Sequence, residues 1–518
     1  MSSLASTTSI DKAKEESNVG VFPAAARLSS LPGISEKDEV DEGARVAGLE
    51  RQEVTQDEMD AVGKKLDRRL LPIMALVYFS QFWDKNSLTY SSVMGLPIKG
   101  EHYNLVSMAF YLGFLIFEIP SSALAQRLPM AKYLGVNMLL WATVLILHSA
   151  SPRFGVFFSM RFLLGVFECC VSPILLTYIA SFWPKHQQAR RVSVFYCMNG
   201  LTNMFGGLTA WAVTFYKGTA LAHWRIFYFM MGGLAFVVAA IVLLFMPDSI
   251  GTAKFLTERE KIVAYERVRD NGTGGRATKL KRSHVIEAVT DGKTWILMLL
   301  TALSSIPNGG LASFSSILIK GFGFTSRATL LLQIPRGFVA ACTTVTVCFL
   351  SDKYSQRMLP ILVAVIPTIV GAALMAETYG SALAIQYAWT ASNTGGASKK
   401  AVVNGMFITV FGAANVVGTQ IFRPSLSGKI AVLVLFSAML PTVAAMTFYT
   451  RYLNKKKDKK LNQLITENGW TEEDVARERD KAAFLDLTDR ENPFTRYINE
   501  ASSPFTRSRL FPHGWLLS

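Results

Sequence analysis

The sequence predicts an all-α membrane protein of twelve transmembrane helices in two groups of six, and three observations lead there. Half of the 518 residues are apolar and only 18% are charged, against about 25% in a soluble globular chain, with a mean hydropathy of +0.29. Long uncharged runs alternate with short basic clusters, and the runs approach the ~20 residues that cross a ~30 Å hydrocarbon core at ~1.5 Å per residue. The net charge of +15 sits in those clusters between apolar runs, where the positive-inside bias of membrane loops places it. The partner it implies is the lipid bilayer, not a nucleic acid.

Residues 1–55 are polar, Ser-rich and charge-rich, a composition read as a disordered cytoplasmic tail without a cleavable secretory signal. The N-terminal bundle, 56–246, holds the runs Leu70 to Ser91, Val106 to Ala125, Tyr133 to Ala150, Phe154 to Trp183, Val192 to Phe215 and Ile226 to Met246. The fourth run is long enough to extend past the membrane. A polar linker, 247–293, follows. Within it Thr257-Glu258-Arg259-Glu260 is a capping box opening an amphipathic helix through Arg269, with Asn271-Gly272 as its stop. The C-terminal bundle, 294–453, holds Thr294 to Ile319, Leu330 to Leu350, Leu359 to Ala376, Thr378 to Gly396, Val402 to Phe422 and Ile430 to Leu453. Spans nine and ten have only Glu377-Thr378-Tyr379-Gly380 as a turn, and the second half of span ten, Ala391 to Gly396, is a poor helix former. A short tenth helix is therefore expected. The tail, 454–518, has a helix start at Thr471 and charged helix through about Leu487.

Lys and Arg near the span ends set the orientation. Lys64, Lys65, Arg68 and Arg69 precede the first span, and Arg127, Lys132, Lys185, Arg190 and Arg191 fall in the second and fourth loops. Lys353, Arg357, Lys399, Lys400 and the run Lys455 to Lys460 mark the later loops and the tail. Both termini and the linker are thus predicted cytoplasmic. Cys169, Cys170, Cys197, Cys342 and Cys348 lie within apolar runs, without the spacing of a metal site or disulfide framework. No Walker loop, dinucleotide fingerprint, HExxH or GxSxG occurs. The expectation is a non-enzyme without cofactor, driven by an ion gradient.

This pattern resembles a major facilitator superfamily transporter. In that family a short acidic and basic signature ties the cytoplasmic helix ends between spans two and three and again between eight and nine. Leu350 to Arg357, with Asp352 and Arg357, resembles the second copy, whereas the first, Ala125 to Lys132, lacks the acidic residue. Other segments resemble the fungal allantoate permease family within the anion:cation symporters. They are Phe82-Trp83-Asp84-Lys85-Asn86-Ser87-Leu88-Thr89-Tyr90, Phe117 to Ser121, Arg161 to Glu168, Ser305 to Gly310, Ala391 to Thr394 with Lys399-Lys400, and Asp486 to Asn492. The resemblance covers roughly residues 55 to 493. The connections from span nine to ten and from eleven to twelve, at Arg423 to Lys429, are shorter than the family pattern. The resemblance implies a small organic anion as substrate, protons as the coupled ion, a monomer and, for an uptake carrier, the plasma membrane.

Ionisable groups inside spans are functional candidates by default. Asp84 and Lys85 lie about 21 to 23 Å along span one, and Arg161 roughly 12 Å from the outer end of span four. Lys85 and Arg161 can offer positive charge to a carboxylate with Asp84 as counter-ion, or Asp84 and Arg161 can form a structural pair between helices. Glu118 and Glu168 suit reversible protonation or pairing with basic residues at the cytoplasmic gate, as do Asp352 and Arg357 by family likeness. Pro307-Asn308-Gly309-Gly310 is expected to break span seven beside a cavity, with Asn308, Gln333 and Tyr387 as substrate contacts. Asn199 and Asn203 read as interhelical hydrogen bonds, and His148 and His223 as interfacial. The leading function is proton-coupled uptake of an allantoate- or nicotinate-like carboxylate by alternating access. An exporter of an acidic metabolite and a weakly transporting nutrient sensor are the alternatives.

The only N-glycosylation sequon is Asn271-Gly272-Thr273, in the linker. On this topology it stays unmodified in a secretory-pathway membrane, which a glycosidase mobility assay checks; glycan on Asn271 reverses the orientation.

Overall fold

The computed structural model describes residues 54–150, 152–268, 282–353, 361–362, 365–366, 380–421, 426–471, 473–475 and 488–497. Among them all regular structure is helical. Most of the expected disordered tail, the Asn271 sequon, Arg357 and the greater part of span nine lie outside the described residues.

Span one is built from α1 (Gln56–Lys85) and α2 (Ser87–Val93). It starts well before Leu70 because Thr55 and Glu58 form a reciprocal capping box, with Asp57 and Glu58 in the first turn, which satisfies two of the free N–H groups and favours the helix dipole. Spans two and three are α3 (Glu101–Arg127) and α4 (Met130–His148). Span four joins α5 (Phe154–Glu168) to α6 (Val171–Phe182) through Cys169 and Cys170, and span five joins α7 (Lys185–Tyr196) to α8 (Met198–Val213). Span six is α9 (His223–Phe245). The linker contributes α10 (Glu258–Val268) and α11 (Arg282–Thr290). The Thr257 capping box is formed, with Glu260 Oε2 accepting from Thr257 N at 2.8 Å and Thr257 Oγ1 from Glu260 N at 3.3 Å.

The second bundle opens with α12 (Gly292–Gly321), followed by α13 (Ser326–Leu331) and α14 (Gln333–Lys353) as span eight. Span seven is not broken at Pro307, contrary to the sequence reading. The small residues there serve close packing instead: a Cβ on Gly309 would lie 2.5 Å from Asn415 O, and one on Gly418 would lie 2.0 Å from Ile306 O. Span ten is described from Gly380 to Asn393 as α15, and residues 367–379 before it lie outside the described residues. Span eleven is α16 (Ala397–Ile421), and span twelve, α17 (Leu426–Asn468), continues without a break past the expected end at Leu453. Eight helical stretches among the described residues are long and apolar enough to cross a bilayer by themselves. Bulky side chains such as Phe229, Leu244, Phe245 and Phe448 are exposed on the outside of the bundle, as lipid-facing positions require.

The two bundles meet along spans five and eight and along two and eleven. On the face that gathers the chain ends and the linker, here the terminal face, Lys65 pairs with Glu260 at 2.8 Å and Arg259 with Glu58 at 3.2 Å. Asp67 there accepts from Trp183 Nε1 at 2.7 Å and from Arg191 Nε and Nη2, each at 2.8 Å. On the opposite, far face the halves are joined directly. Tyr103 OH donates to Ser313 O at 2.6 Å, Ser316 N to Thr89 Oγ1 at 3.2 Å, and Arg327 Nη2 to Thr214 O at 3.3 Å.

Between spans five and eight the backbones touch: a Cβ on Gly200 would lie 2.4 Å from Gly337 O, and one on Gly337 2.4 Å from Gly200 O. Gly200→Leu is expected to force the halves apart, costing about 1–3 kcal/mol or more by overpacking. A lowered thermal midpoint of the detergent-solubilised protein checks it. Gly233→Leu, whose Cβ meets nothing within 4 Å, should leave the midpoint unchanged.

Candidate functional site

A narrow cavity lies between the bundles, with about 50 Å³ open to water-sized spheres, room for a few waters. Span one supplies Tyr78, Gln81, Phe82 and Lys85, span two Tyr111, span four Glu168, span five Tyr196 and Asn199, span seven Ser304 and Asn308, span ten Tyr387 and span eleven Phe411. Both halves therefore contribute, and the cavity holds one cation and one carboxyl.

Lys85 sits at the end of α1, where Asn86 interrupts the helix before α2. Its ammonium lies 5.3 Å from the Phe82 ring, 5.5 Å from Tyr111 and 5.4 Å from Phe411. Such contacts are worth about 0.5–2 kcal/mol each when desolvated. Lys85 forms no ion pair within 4.0 Å among the described residues. Glu168 closes α5 and is 1% exposed, and its Oε2 has no hydrogen-bond partner among the described residues. The last residue before the span-four joint thus puts a carboxyl into the cavity that also holds Lys85.

Three tyrosines close the cavity toward the terminal face. Tyr78 and Tyr196 have ring centroids 5.1 Å apart, Tyr196 and Tyr387 6.0 Å, and Tyr387 in turn meets Phe407 at 4.3 Å. The Tyr196–Tyr387 contact bridges the two halves.

Arg161 lies elsewhere. It is 2% exposed, lies outside the cavity lining and donates from Nη2 to Ser87 Oγ at 2.6 Å and Tyr228 OH at 2.7 Å. Ser87 Oγ reaches Asp84 Oδ1 at 3.4 Å, so the link between Asp84 and Arg161 runs through a hydroxyl. Asp84 is 1% exposed and also outside the lining. Of the two readings for this pair, the geometry matches a tie between spans one, four and six. His148 is not interfacial but 1% exposed, stacked on Tyr228 at 5.1 Å and edge-on to Phe157 at 4.7 Å. A large aromatic wall on that side excludes the water an interfacial histidine would meet.

Glu118 is buried in span two with neither carboxyl oxygen hydrogen-bonded among the described residues, and it is outside the cavity lining. No pairing of Glu118 or Glu168 with Arg127 or Lys132 is formed among the described residues. Asn308 lines the cavity and donates to Asn415 Oδ1 at 3.0 Å. Gln333 does not line it; its Nε2 donates to Ser316 Oγ at 3.3 Å and its Oε1 accepts from Arg336 at 2.7 Å, which ties span eight to span seven near the far face. Asp352 falls at the end of α14, where only the backbone is described, so the acidic and basic signature with Arg357 is not visible as a contact. Asn203 accepts from Asn86 Nδ2 at 2.9 Å, an interhelical bond, whereas Asn199 lines the cavity. Phe82 was named from the sequence only as part of the segment Phe82 to Tyr90, and the cage rings Tyr111 and Phe411 and the tyrosines Tyr78 and Tyr196 were not singled out. Apolar spans are rich in aromatics, and only the three-dimensional convergence on Lys85 separates these from packing residues.

Residues 71–454 match the Major Facilitator Superfamily. The chain is 32% identical over 499 residues to the allantoate permease of Saccharomyces cerevisiae, covering 89% of this chain and 90% of that protein. A thiamine pathway transporter of the same yeast is 28% identical over 507 residues, covering 93% and 94%. Among solved structures, the proton:xylose symporter XylE bound to 6-bromo-6-deoxy-D-glucose aligns with a TM-score of 0.57 and 12% identity, covering 76% of this chain and 96% of that one. That last likeness is one of fold.

The two buried cations should respond differently to removal. Arg161→Met leaves Ser87 and Tyr228 without their donor and Asp84 without its nearby positive charge, and is expected to cost about 3–5 kcal/mol, the range for breaking a buried charge network. Lys85→Met removes a charge that faces three rings and makes no ion pair within 4.0 Å among the described residues, and should leave stability unchanged or raised. Thermal midpoints of the two purified variants decide it, and equal losses refute the distinction.

Proposed function

Because the chain belongs to the Major Facilitator Superfamily and is a multi-pass membrane transporter rather than an enzyme, we propose that it carries a small organic monoanion together with a proton. Lys85 and Glu168 in one cavity between the two bundles carry this reading. Lys85 receives the substrate carboxylate, with Asn308, Ser304 and Tyr387 as hydrogen-bonding partners from the other half. Glu168 takes the proton. A carboxylate entering beside an ionised Glu168 adds negative charge to a poorly solvated site, and protonation of Glu168 removes that repulsion. Glu118 is a second buried carboxyl of the first bundle, in span two and outside the cavity lining. Asp84 and Arg161 hold spans one, four and six around the cavity.

Alternating access then rocks spans one to six against seven to twelve. The Tyr78, Tyr196 and Tyr387 rings part on one side, and the Tyr103–Ser313 and Thr89–Ser316 contacts on the other. The basic loops support cytoplasmic termini, which makes the terminal face cytoplasmic, and an uptake carrier acts at the plasma membrane. The allantoate permease relative supports a ureido- or heteroaryl-carboxylate as cargo, and the proton gradient supplies the drive.

The test is uptake of radiolabelled carboxylates, allantoate and nicotinate among them, at external pH about 5 and about 7.5, by cells expressing the chain, Lys85→Gln or Glu168→Gln. Acid should stimulate uptake of at least one anion. Lys85→Gln should lower it by 10-fold or more, as for loss of a charged contact worth about 1.5–3 kcal/mol. Glu168→Gln should lose the acid stimulation yet keep exchange of labelled for unlabelled anion. Acid-independent uptake, or Glu168→Gln with an intact pH response, refutes the proton assignment, and binding without any exchange favours the sensor.

A further inference from the structure

The residues 488–497 form no part of either bundle by sequence, yet they are built into the terminal face of the second one. Asp489 is 2% exposed. Its carboxylate accepts from Lys293 Nζ at 2.5 Å, Lys399 Nζ at 2.7 Å, Tyr497 OH at 2.7 Å and Gly395 N at 3.3 Å. Those donors stand at the start of span seven, the start of span eleven, the segment itself and the end of span ten. Lys399 also meets Glu287 at 2.8 Å and Asp291 at 3.0 Å, so the linker helix α11 joins the network. On the other side Lys457 of α17 donates to the backbone carbonyls of Asp489, Asn492 and Thr495. Asn454 and Tyr497 exchange two hydrogen bonds, each 3.0 Å. A Cβ on Gly395 would lie 2.7 Å from Asp489 N, so the segment is pressed directly onto the end of span ten.

We propose that residues 488–497 are a clamp that fixes the terminal-face end of span ten, and that Asp489 is a positioning residue acting through it on the closure of the cavity. The helix α15 ends at Asn393, whose carbonyl accepts from Lys293 at 3.2 Å. Tyr387, which meets Tyr196 of the other half, lies six residues, about 9 Å, before that end. The described end of span ten at the terminal face makes its polar contacts with this segment and with Lys293. The clamp supplies the anchor on the terminal face, so that the tyrosine contact closing the cavity depends on a tail segment about 100 residues later in the chain. Burial alone raises the Asp489 carboxyl, but Lys293 and Lys399 outweigh it and hold it well below the ordinary carboxylate range. The stabilisation from a depressed carboxyl is present above its unfolded value and disappears only in strong acid; the clamp is constitutive, not a pH switch.

The experiment uses the full chain carrying Leu383→Cys on the cavity side of span ten. It measures the rate at which an impermeant maleimide, applied from the terminal face, alkylates that cysteine above the background of the native five. Adding Asp489→Asn should raise the rate at least about five-fold, the population change given by ~1 kcal/mol. A rate within two-fold of the parent overturns the proposal, including the case where only the thermal midpoint falls, because that is the result of a purely structural role. Should Asp489→Asn fail to reach the membrane, Tyr497→Phe decides by the same readout, with a smaller rise expected and no rise overturning. The inference rests on the alternating-access reading for its consequence only; alkylation needs no substrate, so it fails or stands apart from the transport assay.

Discussion

A charged side chain carried to the middle of a bilayer costs several kcal/mol unless a partner or water meets it, and this chain carries Asp84, Lys85, Glu118, Arg161 and Glu168 into its first bundle. Each is met in a different way, and the differences organise the site. Arg161 donates to two hydroxyls, one of which connects it to Asp84, which ties three spans together. Lys85 has rings instead of an anion. An aromatic face attracts an ammonium without neutralising it, so that cation keeps its capacity to hold a carboxylate. Two adjacent residues of span one, Asp84 and Lys85, are thereby committed to opposite tasks by the faces they occupy.

The same economy appears in how the bundles touch. Within and between halves, glycines bring backbones into contact, as small residues do where hydrocarbon offers no hydrophobic driving force between helices. Gly200 against Gly337 gives spans five and eight a smooth seam along which the halves can tilt. By contrast, the two ends of the cavity are closed by side chains, tyrosine rings toward the terminal face and single hydrogen bonds toward the far face. Closures of one or two contacts are inexpensive to break, whereas the network around Asp67 in the first bundle and that around Asp489 in the second each bind several elements of one half. Strong contacts inside the halves and weak ones across them are what rigid-body rocking requires.

The fold class was legible because the bilayer imposes a length and composition that survive without any homologue, and the family followed from segments such as Phe82 to Tyr90 and Arg161 to Glu168. The intramembrane charges were legible as candidates for the same reason. Their partners were not. Helical rise places Arg161 and Lys85 at similar depth, but a rotation of one residue, 100°, separates a cavity face from an interhelical one, and Arg161 took the second. Pro307 was read as a break because proline removes a backbone donor; the close approach of span eleven at Gly309 and Gly418 made the local small residues a packing surface instead. The Thr55 capping box was written in the sequence as Thr-x-x-Glu and could have set the start of span one. Nothing in the local sequence of Asp489 announces a buried site, since its lysines come from positions far apart in the chain.

If Lys85 and Glu168 share one poorly solvated cavity, proton and substrate binding cannot be independent. Two unit charges 4 Å apart interact by about 4 kcal/mol at an effective dielectric of 20, so an anion on Lys85 and a charge on Glu168 penalise each other by an energy of that order at contact distance, and less as they separate. By linkage, whatever factor the proton adds to substrate affinity the substrate adds to proton affinity. The empty cavity is neutral with Lys85 charged and Glu168 ionised, and the loaded cavity is neutral with the anion bound and Glu168 protonated. Only those two states avoid a net charge, and only they cross the occluded, nearly dry form at low cost. On the proposed reading, coupling thus needs no dedicated relay: it follows from one fixed cation, one titratable carboxyl and a cavity of about 50 Å³ with little water to screen them.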